Sequence, residues 1–374
     1  MKRVLTISKF DPNEKACDHA RHQMEQEFQE RVVKIEPPKH HFVFLIAPDG
    51  SMLGLDESSE LALHDEADDR VIWDRTPEGI KHVATGKDVS TDIDEDVCTL
   101  SVGSDEMTFT TYHGPEKLPS EYLEHLKREG WVCLTCILPP DILEDMERVA
   151  GTDRYEHLEM NTDIPRICQS VSVARATIEP ISIWLARQYM GSPDLHLSHP
   201  PGFRIEYPDD GKRKLGGWHS DFPYSASTGG NEPPDRKGPI KAMQRNVCVS
   251  DFTKIRGATA FKLGSHLSDT PPPPEWNDTQ ASRFPYHGPE ADVIEAPGGS
   301  VILYDARMWH RAGINRSQQK RAAMLQSFQA PDVLPKNDTT ATYERLVESP
   351  FFNELNDREQ KDITALLTNK PIIA

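Results

Sequence analysis

His219 and Asp221 lie two residues apart in Gly-Gly-Trp-His-Ser-Asp-Phe, and His310 sits in a second, distant run, Tyr-Asp-Ala-Arg-Met-Trp-His-Arg-Ala-Gly. In an extended strand, side chains two apart share a face, so His219 and Asp221 can hold one metal together. Two histidines and one carboxylate form the facial triad that binds ferrous iron and leaves positions open for oxygen and substrate. For His310 to complete it, a strand remote in sequence must lie opposite. The apolar run Gly-Ser-Val-Ile-Leu-Tyr ahead of His310 reads as that strand. The chain must therefore fold so that distant strands line one cavity.

From His199 onward, short strand candidates alternate with Gly/Pro-rich turns, the pattern of a sandwich or jelly roll. The expected fold is mainly β with flanking helices: a double-stranded β-helix (jelly roll, cupin-like) core plus an N-terminal α+β extension. The extension is expected over residues 1–115 and the core domain over 116–374. Helices are expected near 118–130, near Asp141 to Val149 after Pro139-Pro140, and over Ile164 to Tyr189, where Pro180 should divide the run. The extension carries a helix candidate near Asn13 to Val33 and a hairpin turning at Asp49-Gly50. A second hairpin is expected between Val97 and Tyr112. The run Asp269 to Glu275, with four consecutive prolines, reads as a stiff loop.

An H-x-D tripeptide alone carries little information, and the related H-x-E occurs at His64/Glu66 and His157/Glu159 in charged stretches that read as solvated surface. His219 differs in context. It follows Gly216-Gly217, is flanked by Trp218 and Phe222, and comes after the strand-like Phe203 to Tyr207. Beyond His310, the Asn315-Arg316-Ser317 turn signal lets the chain double back, so that Arg321 returns towards the metal at the head of a strand candidate ending near Phe328. A guanidinium grips a carboxylate through two parallel hydrogen bonds, which a lysine cannot do. The competing reading of Arg321 alone is a surface ion pair. Gln244 and Asn246 share one face of a further strand. His266, in the turn-like Leu-Gly-Ser-His, reads as a loop residue and not as a ligand.

With Gly257-Ala-Thr-Ala-Phe-Lys-Leu-Gly-Ser-His266 and Pro297-Gly-Gly-Ser-Val301 added, these motifs resemble the phytanoyl-CoA dioxygenase family, a branch of the Fe(II)/2-oxoglutarate-dependent oxygenases. The resemblance covers roughly residues 118 to 330 and includes Arg321 eleven positions after His310. It implies that His219, Asp221 and His310 are iron ligands, that Arg321 holds the distal carboxylate of 2-oxoglutarate, and that O₂ is the co-substrate. Asn246 is the candidate for the other end of 2-oxoglutarate. The implied reaction hydroxylates an unactivated C–H bond of a small molecule, releasing succinate and CO₂. An aspartate at 221, where halogenating relatives vacate the position, favours hydroxylation over halogenation. The family often places a serine two residues after the distal histidine, where this chain has Ala312. Gly202 stands where the family's ectoine hydroxylases have a glutamine.

Phe222 and Tyr224, which follow Asp221, and Arg204 are the candidate substrate contacts; core packing is the alternative for the two aromatics. The chain holds 42 basic and 60 acidic residues, a net charge of −18, which repels nucleic-acid backbones. The basic run Lys212-Arg213-Lys214 is either a local substrate patch or a solvated loop. No apolar run approaches the roughly 20 residues of a membrane span, so no membrane partner is expected, and the resemblance implies a small-molecule substrate. Six scattered cysteines fit a reducing compartment, so a cytoplasmic protein is expected. The Cys133/Cys136 pair lies within a buried strand candidate and reads as core. Two other classes compete: a cupin-type metal-dependent hydrolase or isomerase, which leaves Arg321 unexplained, and a non-catalytic jelly-roll binding module.

Overall fold

Two open sheets face each other across the centre of the computed structural model, which describes residues 30–210, 217–222, 238–277 and 288–368. The larger has six strands, in the order Trp131–Leu134, Val301–Asp305, Ala242–Cys248, Arg321–Gln329 and His196–Leu197, with Gly202–Glu206 also paired to Arg321–Gln329. The smaller has four: Glu30–Lys34, Ala291–Glu295, Ala260–Phe261 and His310–Arg311. This is the expected jelly roll, mainly β with flanking helices. Its central strands are buried on both faces. Ala242–Cys248, Val301–Asp305 and nearly all of Arg321–Gln329 are covered, by the opposing sheet on one side and helices on the other.

The face turned to the helices is apolar, with Met243, Val247, Leu303, Met324 and Phe328 packed in one cluster with Leu126, Met146, Val173 and Leu185. Pro140–Ala150 and Pro180–Met190 each start on a proline, whose missing N–H costs nothing in the first turn. Pro180 does divide the helical run, leaving Val171–Thr177 ahead of it. The break exposes the last carbonyls of that short helix to the sheet, where the fully buried Arg245 donates to Ala176 O and Thr177 O, each at 2.7 Å.

The extension folds as a third sheet, of nine strands, between Val43 and His113. Both hairpins form. The first pairs Val43–Ile46 with Met52–Leu55 across Asp49-Gly50, where Gly50 takes φ 92°, and the second pairs Val97–Val102 with Asp105–His113. Its described part is almost wholly β, with a single 3-10 turn at Asp69–Val71, so the α component expected there is not seen. The helix candidate near 13–33 lies outside the described residues except for its end, where Glu30–Lys34 is strand. That strand runs parallel to Ala291–Glu295 and becomes an edge of the smaller jelly-roll sheet. Extension and jelly roll also share a core, since Phe44, Met52, Val71 and Ile72 pack in the same cluster as Tyr122 and Ile142. Among the described residues, no helix is long and apolar enough to cross a membrane.

Candidate active site

His219 and His310 are direct cross-strand partners. His219 N donates to His310 O at 3.0 Å and His310 N to His219 O at 2.9 Å, so the second histidine arrives from the opposite strand by backbone pairing alone. Residues opposed in this way project their side chains to one face, and the rings meet with centroids 4.3 Å apart. Asp221 is fixed by its own backbone, whose N–H donates to Ala306 O at 2.9 Å. Its carboxylate reaches both rings, with Oδ2 3.2 Å from His310 Nε2 and Oδ1 3.9 Å from His219 Nε2. One donor atom from each residue lies within 4.8 Å of the others.

The tautomers follow from the partners. His219 Nδ1 lies 3.0 Å from Gly217 O, and His310 Nδ1 lies 3.0 Å from Met308 O. A carbonyl oxygen can only accept, so each Nδ1 carries the proton and each Nε2 presents a lone pair towards Asp221. This outer hydrogen bond orients histidines that bind metals. The surrounding protein, and then His310, hold His219 below the ordinary imidazole pKa, which keeps it neutral. Burial would lower His310 too, but the Asp221 carboxylate outweighs it and leaves that pKa raised. Burial pushes Asp221 up, yet the two histidines outweigh it and hold its carboxyl below the usual range. Two imidazole nitrogens and a carboxylate oxygen converging in this way are a donor set that a divalent cation would satisfy, displacing any proton held between His310 and Asp221.

The triad opens into a cavity of about 290 Å³ whose walls also include Arg321, Asn246, Gln244, Thr259 and Tyr304. Arg321 is buried, donates from Nη2 to Gly257 O at 2.8 Å, and stacks with its Cζ 4.5 Å from the centre of the Phe252 ring. The expected turn at 315–317 returns it to this cavity. Asn315 closes the turn, donating to Glu206 O and Gln319 O and accepting from Ser317 N. Asn246 and Gln244 do share the cavity face; Asn246 Nδ2 approaches Thr259 Oγ1 at 3.4 Å and Gln244 Nε2 donates to Ser327 Oγ at 3.1 Å. Arg204 also lines the cavity, from the strand paired to Arg321–Gln329, with Nε 3.0 Å from the carboxylate of the buried Glu206.

Other expectations fare differently. Phe222 is not among the residues lining the cavity; its N–H shares the Ala306 carbonyl with Asp221, which turns the chain there. Tyr224 and the Lys212-Arg213-Lys214 run lie outside the described residues. His266 is buried against Gly130 and, among the described residues, belongs to no group that could hold a metal. Cys133 is a buried free thiol in the core, pushed up to about 12 by burial. Sequence reasoning missed His199, Glu206, Thr259, Tyr304 and Lys336 as lining residues. Strand alternation could have signalled Glu206 and Tyr304; His199, Thr259 and Lys336 lie outside strands and carry no local signal.

A slightly larger cavity, about 310 Å³, lies between the extension and the helices, lined by Phe44, Tyr112, Ile142, Arg175 and Glu359 among others. Arg175 and Glu359 already pair there at 3.1 Å. The chemistry is concentrated around the triad.

The family model described as phytanoyl-CoA dioxygenase matches residues 183–323, a stretch that holds His219, Asp221, His310 and Arg321. This central region is similar to the phytanoyl-CoA dioxygenase family. Its relatives include the dioxygenase olcK of Penicillium canescens, 22% identical over 245 residues, covering 57% of this chain and 75% of that protein. The dioxygenase af480 of Aspergillus fumigatus is 27% identical over 112 residues, 29% of this chain and 33% of its own. Among solved structures, the epimerase SnoN in complex with Fe³⁺, α-ketoglutarate and nogalamycin RO is 19% identical with a TM-score of 0.42, covering 59% of this chain and 86% of that one. EvdMO1 is 16% identical with a TM-score of 0.41, covering 63% of this chain and 56% of that one.

Proposed function

We propose that the protein is a non-haem iron, 2-oxoglutarate-dependent dioxygenase that hydroxylates an unactivated C–H bond of a small molecule. The observation that carries this reading is one cavity containing both the His219–Asp221–His310 cluster and the buried Arg321. A metal hydrolase has no need of the arginine, and a binding module has no need of either. Ferrous iron with 2-oxoglutarate supplies oxidation of the substrate by O₂, with succinate and CO₂ as the other products.

The chain's own contribution is geometric and electrostatic. His219 Nε2, one oxygen of Asp221 and His310 Nε2 hold Fe(II), and the Gly217 and Met308 carbonyls keep both rings aimed. Arg321 receives the distal carboxylate of 2-oxoglutarate, and Asn246, with Gln244 beside it, offers amide donors to the other end. Arg204 lines the same cavity and is the candidate substrate contact. Asp221 retains the carboxylate whose absence would open a position for halide, which supports hydroxylation. We assign the chemistry to residues 116–374, with Glu30–Lys34 of the extension completing the smaller sheet.

The test is consumption. Protein supplied with Fe(II), ascorbate and 2-oxoglutarate under air should form succinate and CO₂ slowly without substrate and faster with it. Mass spectrometry of the product should show one added oxygen derived from ¹⁸O₂. No 2-oxoglutarate turnover, or turnover unchanged in His219→Ala, would overturn the reading.

A further inference from the structure

The residues behind Arg321 form a second arginine site that the reaction itself does not require. Arg256 immediately precedes Gly257, whose carbonyl accepts the Arg321 guanidinium. Arg256 is itself buried. Its Nη2 donates to Lys320 O at 2.7 Å and to Asp153 Oδ1 at 2.9 Å. Lys320 immediately precedes Arg321, so one side chain ties the backbone at the root of Arg321 to the turn that holds its tip.

The same corner is clamped from outside the jelly roll by residues 151–156. Lys320 N donates to Glu156 Oε1 at 2.7 Å, and Lys320 Nζ reaches Gly151 O and Glu156 O, each at 3.2 Å. Asp153 holds Arg256 from a left-handed backbone, φ 51°, a conformation that non-glycine residues adopt at a cost but that Asp and Asn tolerate best. Gly257 is left-handed as well, φ 75°, and a Cβ there would stand 2.7 Å from Asn315 N. The turn therefore packs directly on the segment that returns the chain to Arg321, leaving its carbonyl little freedom to move.

We propose that Arg256, held by Asp153, is a positioning residue that fixes the Arg321 guanidinium where a distal carboxylate must meet it. The inference rests on the reading of Arg321 as the carboxylate grip. It goes further by placing the control of cosubstrate affinity in a turn outside the jelly roll. A bidentate pair depends on orientation as well as charge, so a tilted guanidinium loses part of its grip while keeping its charge.

The experiment titrates two keto acids into anaerobic Fe(II)-loaded protein and follows the visible band of the chelate. 2-Oxoglutarate carries the distal carboxylate; 2-oxovalerate has the same carbon chain without it. Arg256→Met should weaken 2-oxoglutarate by about tenfold or more, the loss typical of removing an outer supporting partner. It should leave 2-oxovalerate and Fe(II) affinity unchanged. Asp153→Asn, which suits the left-handed backbone and keeps an acceptor oxygen, should show a smaller loss with the same selectivity, so a misfolded Arg256→Met does not end the test.

Equal losses for both keto acids would mean that the turn is merely structural, and unchanged 2-oxoglutarate affinity in both variants would mean that it positions nothing; either overturns the proposal. Arg321→Met is the control. If it binds 2-oxoglutarate like wild type, the carboxylate-grip reading falls and the positioning role falls with it. If Arg321→Met alone is impaired, the grip stands and the positioning role is wrong.

Discussion

Replacing Arg321 with lysine should weaken 2-oxoglutarate far more than loss of charge would explain, because the charge is kept. In the structure the guanidinium already uses Nη2 on Gly257 O at 2.8 Å and lies against Phe252 with Cζ 4.5 Å from the ring centre. Both contacts constrain its plane at the cavity wall. An ammonium in the same place can hold the Gly257 carbonyl or present a point charge to the ligand, but it offers no parallel pair. Losing one charge-assisted hydrogen bond costs roughly 1.5–3 kcal/mol, or about 10- to 150-fold in Kd. Isothermal titration of 2-oxoglutarate into anaerobic metal-loaded protein measures this directly, with a separate metal titration expected to be unchanged. A Kd within error of wild type would refute the assignment and move the carboxylate to another residue, with Arg204 first to test.

Three further outcomes follow from the same structure. Arg245→Met leaves the Ala176 and Thr177 carbonyls and the Gln326 side chain without their buried donor, and should cost about 3 kcal/mol in urea unfolding even after the relief of a buried charge; a neutral or stabilising effect would contradict this. Burial, then Asp153 and Asp251, push Glu147 up to about 7 from 4.5. The unfolded chain releases that proton first, so stability falls between these two values, and Glu147→Gln should gain about 1 kcal/mol above pH 7, discounted for partial exposure, and nothing at pH 4. Phe222→Ala should leave the ratio of product to 2-oxoglutarate consumed unchanged, because Phe222 does not line the cavity; an altered ratio would place it at the substrate after all.

The site was legible in the sequence wherever local geometry carries it. The two-residue spacing of His219 and Asp221 puts both on one face, and the Asn315 turn returns Arg321 by side-chain hydrogen bonds within a few residues. The pairing of His219 with His310 needed a fold hypothesis, and the jelly roll supplied one. What could not be read was long-range. Glu30–Lys34 joins the jelly roll because its partner is Ala291–Glu295, a parallel neighbour that no local pattern announces. Lys336 lies beyond the last jelly-roll strand and reaches the cavity wall only because that segment folds back onto Ser198. Phe222 stands off the cavity lining because the two-residue alternation stops at Asp221, where two successive N–H groups bond the same Ala306 carbonyl.

The most direct test of the central claim is an anaerobic titration of Fe(II) and 2-oxoglutarate followed in the visible spectrum. A weak charge-transfer band should appear when both are present, reach a limit at one iron per chain, and be absent with either alone. His310→Ala should abolish it while leaving the circular dichroism of the fold intact, since the variant removes one of three ligands. A wild-type protein that shows no band, or a His310→Ala variant that shows it undiminished, would contradict the account.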